Sequence, residues 1–196
     1  VRSLSSHLAE AIAAIDAANA DDPTVITVRG EPVPLALAHG RLAAAWVADL
    51  HPDADDTWLL AARAHHLRRW EVPRTDYPAG KPGYLRWKRD QRQRHARDIA
   101  VLLAEVGYDE ATIERVQALV RRDNLTTDAG SQAIEDAACL VFLETQLADV
   151  SKQLERDHLI DVLRKTARKI SPSGAAAIAR IPLGDAERQL LADALG

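Results

Sequence analysis

Apolar residues recur at helical spacing along most of the chain. Leu8, Ile12 and Ile15 share one face of a first helix, predicted from about Ser5 to Asn19. The segment PTVITVRGEPVP (23–34) is the only stretch with β character, enough for a short strand or an extended arm. After Pro34, Leu35, Leu42, Trp46 and Leu50 form the apolar stripe of a second helix that ends near Leu50. The turn HPDADD then places acidic residues at the start of a third, from about Asp56 to Trp70. The loop EVPRTDYPAGKPG (71–83) holds three prolines and two glycines and cannot be helical throughout. A fourth helix is predicted from about Tyr84 to Val106, stopped by Gly107, and Asp109 caps a fifth that runs to about Arg122. After the loop NLTTDAGS, a sixth runs from about Gln132 to Val150. Another begins at Ser151 and continues to Ile170, SPSG breaks it, and Asp185 to Leu195 closes the chain. The expectation is an all-α fold: one domain over residues 1–196, with a core from about 34 to 150 and a C-terminal helical extension, 151–196.

Composition narrows the function classes. No apolar run approaches the roughly 18 residues of a membrane span, and the N-terminal stretch lacks the charged and apolar regions of a signal peptide. The single cysteine, Cys139, excludes an internal disulfide framework, suits a reducing cytoplasm, and reads as a small core residue. The net charge of −4 disfavours a dedicated nucleic-acid binder, but the charge is unevenly spread. Residues 63–97 hold 11 Lys and Arg against 3 Asp and Glu, between flanks that are each net negative. Such an island points to a local site for a small anion. Oligomeric state is left open.

Helical phase singles out four ionisable residues. His39 falls in the middle of the second helix's apolar stripe, and His66 lies beside Leu59 and Trp70 on the third. His65 is rotated toward Trp58 and Arg69. His95 begins the stripe that continues through Ile99, Leu102 and Val106, and Asp136 extends the row Leu140, Leu143 and Leu147. A buried carboxylate needs a cation, a donor or a metal. Imidazoles with a carboxylate can hold a divalent metal such as Zn, Fe, Mn or Ni, and nothing in the sequence selects among them. Glu135 points about 100° away from Asp136 and is expected to orient a ligand or to bind an arginine.

This order of residues resembles the HD superfamily of all-α, metal-dependent phosphohydrolases, whose signature is His … His-Asp … Asp. On that resemblance His39 matches the first His, and LLAARAHHLRR (59–69) matches the helix that carries the pair. His95 then matches an added ligand and Asp136, within IEDAACLVFLE (134–144), the final Asp. The pair reads His65-His66 in place of His-Asp. Phase favours His66 as the inward residue, whereas a gapless match puts His65 in the conserved position, and both stand. Almost the whole chain is also similar to a bacterial and fungal family of unknown function related to the HD fold. The stretches that carry this are AARAHHLRRWEVPR, GYLRWKRDQRQRHA, ERVQALV, IEDAACLVFLE and LRKTARKISPSG.

No GxxxxGK[ST], GxGxxG or GxSxG pattern occurs, which weighs against P-loop, Rossmann and α/β-hydrolase chemistry. Arg68, Arg69, Arg74, Lys81, Arg86 and Lys88 bracket the proline loop just after the histidines, and guanidinium groups bind phosphate bidentately. Of these, Arg68, Arg69, Arg74, Arg86 and Lys88 are the candidate anion ligands. Tyr77, Tyr84 and Trp87 either pack the loop or stack a base. Lys165, Arg168 and Lys169 are explained by a helix C-terminus. The resemblance implies an HD-like metal-dependent hydrolase of a small phosphorylated or anionic substrate. Its alternatives are an HD-like di-iron oxygenase and a non-catalytic helical binding module with a degenerate metal site.

Overall fold

Arg29 and Gly30 both adopt positive φ, 52° and 89°, and close a two-residue turn between strands β1 (Val25–Val28) and β2 (Glu31–Pro34). Two positive-φ residues give the turn whose twist matches an antiparallel hairpin, so the β-like segment folds back on itself. The computed structural model describes residues 6–195, and everything else described is helical or irregular. The predicted start at Ser5 and the first residues, where a leader would be read, lie outside the described part. The first helix, α1, spans Ser6–Asn19 and α2 spans Leu35–Leu50. Pro34 offers α2 no side-chain cap; the buried Asp22 carboxylate accepts instead from the backbone of Ala36, at 2.9 Å, and of Thr24.

The third helix, α3, spans Asp56–Ala64 and is shorter than the periodicity predicts. Asp55 caps it through the backbone N–H groups of Thr57 and Trp58. It ends at Ala64 because residues 65–68 form a tight turn that Arg68 completes in the left-handed region, φ 50°. That conformation is held from outside the helix: Asn19 accepts from the Arg68 backbone N–H at 3.0 Å. The fourth helix, α4, begins early and spans Gly80–Val106. Pro82 is tolerated in its first turn, where no backbone donor is missed. Gly83 lies so close to the Pro78 carbonyl that an added Cβ would sit 1.9 Å away. Gly107, at φ 95°, ends α4 as expected, with Tyr108 N–H reaching back to Leu103.

Helix α5 spans Glu110–Arg121, capped by Asp109, and α6 spans Ala129–Thr145. The predicted long helices past Thr145 break into shorter ones: α7 (Leu147–Gln153), α8 (Arg156–Ala167) and α10 (Asp185–Leu195). SPSG, expected to be a breaker, starts a helix instead, α9 (Pro172–Ala177). Ser171 caps it and Pro172 takes the first helical position, where its fixed φ is favourable.

Helix α6 is apolar on two faces and divides the interior. Ile134, Ala137 and Val141 pack with Leu60, Ile99, Leu103 and Leu119 in one buried cluster. Leu140, Leu143 and Leu147 pack with Leu159 and Leu163 of α8 in the other. The C-terminal extension therefore shares its core with α6. No helix among the described residues is long and apolar enough to cross a membrane.

A buried polar clasp joins the two halves. Asp136 is fully buried, and its carboxylate accepts from the Ser171 backbone N–H and from Gln132, each at 2.8 Å, and from the Ser171 hydroxyl. Ser171→Ala removes one acceptor contact from a buried charge and the cap on Gly174. The expected loss of unfolding free energy is about 1–3 kcal/mol. It would be read as a lower urea midpoint at constant slope; an unchanged midpoint would show that the clasp contributes nothing.

Candidate functional site

The turn after α3 exists where it does because one face of α4 grips it. Trp87 Nε1 donates to the Val72 carbonyl at 3.0 Å, and Gln91 Nε2 donates to the carbonyls of Arg69 and Val72. Arg94 donates to the Arg68 carbonyl at 2.7 Å. Residues 87, 91 and 94 lie on one side of a helix, so a segment with no regular structure of its own is fixed at three carbonyls. His65 and His66 are held in that segment.

Both histidines consequently reach the same cavity, of about 230 Å³, together with His39 of α2 and His95 of α4. The expectation that only one of the neighbours faces inward assumed a helix through Trp70. Once the helix stops at Ala64, the 100° step no longer applies. His65, which phase turned aside, is 3% exposed. The rings of His65 and His66 lie 4.1 Å apart, and those of His66 and His95 6.3 Å apart.

Their hydrogen bonds assign the protons. Thr145 Oγ1 donates to the Val141 carbonyl at 2.7 Å, so it accepts from His39 Nε2, 3.1 Å away. A neutral His39 then has its lone pair on Nδ1, which lies 3.0 Å from His66 Nδ1 and accepts from it. His66 is left with a lone pair on Nε2. His65 Nδ1 donates to the Ala62 carbonyl at 2.8 Å, leaving Nε2 with a lone pair that is buried and without a partner. Neither ring nitrogen of His95, 1% exposed, makes a hydrogen bond of normal geometry. His39 thus has both nitrogens engaged, whereas His65, His66 and His95 have donor capacity to spare.

All four imidazoles are neutral at pH 7. Burial, with Arg69 nearby, lowers His39 to about 4. Burial and Arg69 lower His95 to about 3, against a smaller opposing pull from the Leu67 backbone. Burial also drives His65 and His66 well below the usual range, with Arg122 adding to the first and His65 itself to the second.

Around the imidazoles stand Arg69, Lys88, Arg92, Arg122 and Lys169, facing a single carboxylate, Glu135. Glu135 is 6% exposed and lies 3.1 Å from Arg92, 3.4 Å from Arg122 and 3.9 Å from Lys169. Burial raises its pKa, but Arg122, Arg92 and Lys169 outweigh that and hold it ionised. Arg69 stacks over the buried Trp87 ring, 4.3 Å from its centroid, and desolvation lowers it to about 10. Lys88 is lowered to about 8 by burial and by the neighbouring Lys169 and Arg92. Cys139 also lines the cavity; burial pushes its thiol up to about 12, so it is not a nucleophile.

Several candidates stand elsewhere. Asp136 does not line the cavity: its row, Leu140, Leu143 and Leu147, faces the C-terminal cluster, and its oxygens are engaged by Gln132 and Ser171. Arg74 clamps the loop by donating to the carbonyls of Tyr77, Pro78 and Gly80. Arg86 is exposed and pairs with Asp90, one turn on, and Arg68 serves through its backbone. Arg92, Arg122 and Lys169 take their place. Arg92 was legible, because Tyr84, Lys88, Arg92 and His95 follow one face of α4; Arg122 and Lys169 sit just past helix ends and carry no local signal.

Fold and site together define a helical domain whose buried imidazoles open into a cation-lined cavity. Within that class, the chain belongs to a family described as a domain of unknown function, DUF4202, matched over residues 9–191. No curated protein and no solved structure matches it.

The neutral imidazoles make stability depend on pH. Their folded pKa values lie below the unfolded 6.5, so the unfolded chain binds more protons between about pH 6.5 and 4. Unfolding free energy is therefore expected to fall as pH drops through that window, by on the order of 1 kcal/mol per pH unit for each titrating ring. Denaturation at pH 7, 6 and 5 measures it, and His95→Gln should flatten the curve. A stability that is constant from pH 7 to 5 would refute the neutral cluster.

Proposed function

We propose that this cavity binds a small phosphorylated anion and, with a divalent metal held by its imidazoles, hydrolyses it in the manner of an HD-like phosphohydrolase. The observation that carries the reading is the charge at the cavity wall: five cations face one carboxylate, and four neutral imidazoles add nothing to balance them. A phosphoryl dianion supplies the missing charge. The guanidinium forks of Arg69 and Arg92 match pairs of phosphoryl oxygens, and Lys88 and Lys169 act as point charges at the rim. The HD-like part rests on order along the chain, since His39, the His65-His66 pair and His95 come from successive segments.

The donor set fits a metal. His65 donates Nδ1–H to a backbone carbonyl and keeps its Nε2 lone pair, the arrangement by which metal-ligating histidines are usually oriented. His65, His66 and His95 would hold the ion, and His39 would position His66. Zn, Fe, Mn and Ni all accept imidazole. When bound, such an ion lowers the pKa of a coordinated water and polarises a phosphoryl oxygen. With pKa values near 3 and 4, His95 and His39 are too weakly basic for general-base catalysis at pH 7, which favours ligand and positioning roles. The apolar side chains of Val141, Phe142 and Val162 limit water on the remaining wall.

A second reading, an anion-binding module without metal, is favoured by one observation. Asp136 is spent on Ser171, Glu135 is spent on arginines, and among the described residues no three His, Cys, Asp or Glu are already arranged around one ion position.

Elemental analysis separates the two readings, with metal expected in the wild-type protein and lost in His65→Gln. Millimolar phosphate is expected to raise the melting temperature more than chloride at equal ionic strength, equivalent to about 2.7 kcal/mol at a hundred times Kd. Lys88→Gln should weaken that effect about tenfold in Kd. Phosphate stabilisation without metal would leave the binding module, and two tightly held irons would replace hydrolysis with oxygen chemistry. No discrimination between phosphate and chloride would refute the anion site.

A further inference from the structure

We propose that the ligand carries a second anionic group and that a separate cleft beside the histidine cavity receives it, so that the substrate class is a di- or polyphosphorylated molecule. This rests on reading the histidine cavity as a phosphoryl site.

The second cleft, about 280 Å³, shares Lys88, Arg92 and Lys169 with the first and adds Arg89, Gln93 and Arg121. No acidic residue lines it. Arg89 pairs with Asp90 and Arg121 with Asp123, but neither carboxylate reaches the cleft wall. Glu135, the only carboxylate near the shared cations, belongs to the first cavity.

The shared residues form a ridge. On α4, Tyr84, Lys88, Arg92 and His95 face the first cavity, while Leu85, Arg89 and Gln93 are turned toward the second. Lys88 and Arg92 stand between, and Lys169 meets them from beyond the end of α8. Lys88 is half-buried, and among the described residues no carboxylate lies within ion-pair distance of it; its contact is the Tyr84 ring, 5.6 Å away. A solvated lysine on a decorative face would extend into water or pair with its neighbours. A phosphoanhydride chain laid over this ridge puts consecutive phosphoryl groups on both sides of the same three cations. One orthophosphate can satisfy only one side.

The test is calorimetric titration of the full chain at fixed ionic strength with orthophosphate and with tripolyphosphate. Tripolyphosphate is expected to bind at least tenfold more tightly. Arg89→Gln with Arg121→Gln should remove most of that advantage and leave orthophosphate affinity unchanged. Arg89→Gln alone, at a mostly exposed position, should show a smaller loss in the same direction and guards against misfolding of the pair. Arg86→Gln with Arg97→Gln removes the same charge from α4 outside both cavities and should change neither ligand. Equal affinities for the two anions, or equal losses in the two double variants, overturn the second subsite while the first cavity stands. Tripolyphosphate binding that needs Arg89 and Arg121, without orthophosphate binding, keeps the cleft and overturns the reading of the first cavity. Failure of both anions to bind overturns both.

Discussion

The pairing of Glu135 with Arg122 is the contact on which the site depends. Both side chains are buried, and the desolvation of such a pair costs several kcal/mol per ion before the attraction between them repays it. The pair forms because α5 ends on Arg122 in the left-handed region, φ 61°, which folds the guanidinium under the helix instead of out to water. Glu135 then also meets Arg92 and Lys169. One carboxylate thereby anchors three cations from three segments of the chain. It cannot neutralise them, and the excess gives the cavity its affinity for anions.

The imidazoles obey a second constraint, which is proton bookkeeping. Thr145 gives its hydrogen to its own helix, so His39 must donate to it, and His66 must donate to His39. A chain of three groups thus leaves a lone pair on His66, and the Ala62 carbonyl does the same for His65. Desolvation and the surrounding guanidiniums keep these rings from protonating. The same positive field that would attract a phosphoryl group therefore keeps the histidines in the form a metal requires.

The C-terminal helices are part of this arrangement. Val162, Thr166 and Lys169 form one side of the cavity, and they are placed by the packing of Leu159 and Leu163 against α6 and by the Asp136–Ser171 clasp. Asp136 and Glu135 are adjacent, yet the helix turns one toward the second core and the other toward the site. The carboxylate that the resemblance marks as a metal ligand is the one that ties the extension down.

Periodicity was enough to place α1, α2, α5 and α10 almost to the residue, because their caps, Asp109 and Gly107 among them, are local signals. It also marked His39 and His95 as inward, since each lies on an unbroken helix where phase holds. The sequence by itself determined a helical chain with buried imidazoles and a basic island. Tertiary structure alone decided where α3 ends, because Asn19 and the side chains of α4 that stop it are distant in sequence. It alone made both neighbouring histidines face one cavity. It also chose Glu135 over Asp136 and brought in Arg122 and Lys169, since α6 is apolar on two faces and only packing decides which core each face meets.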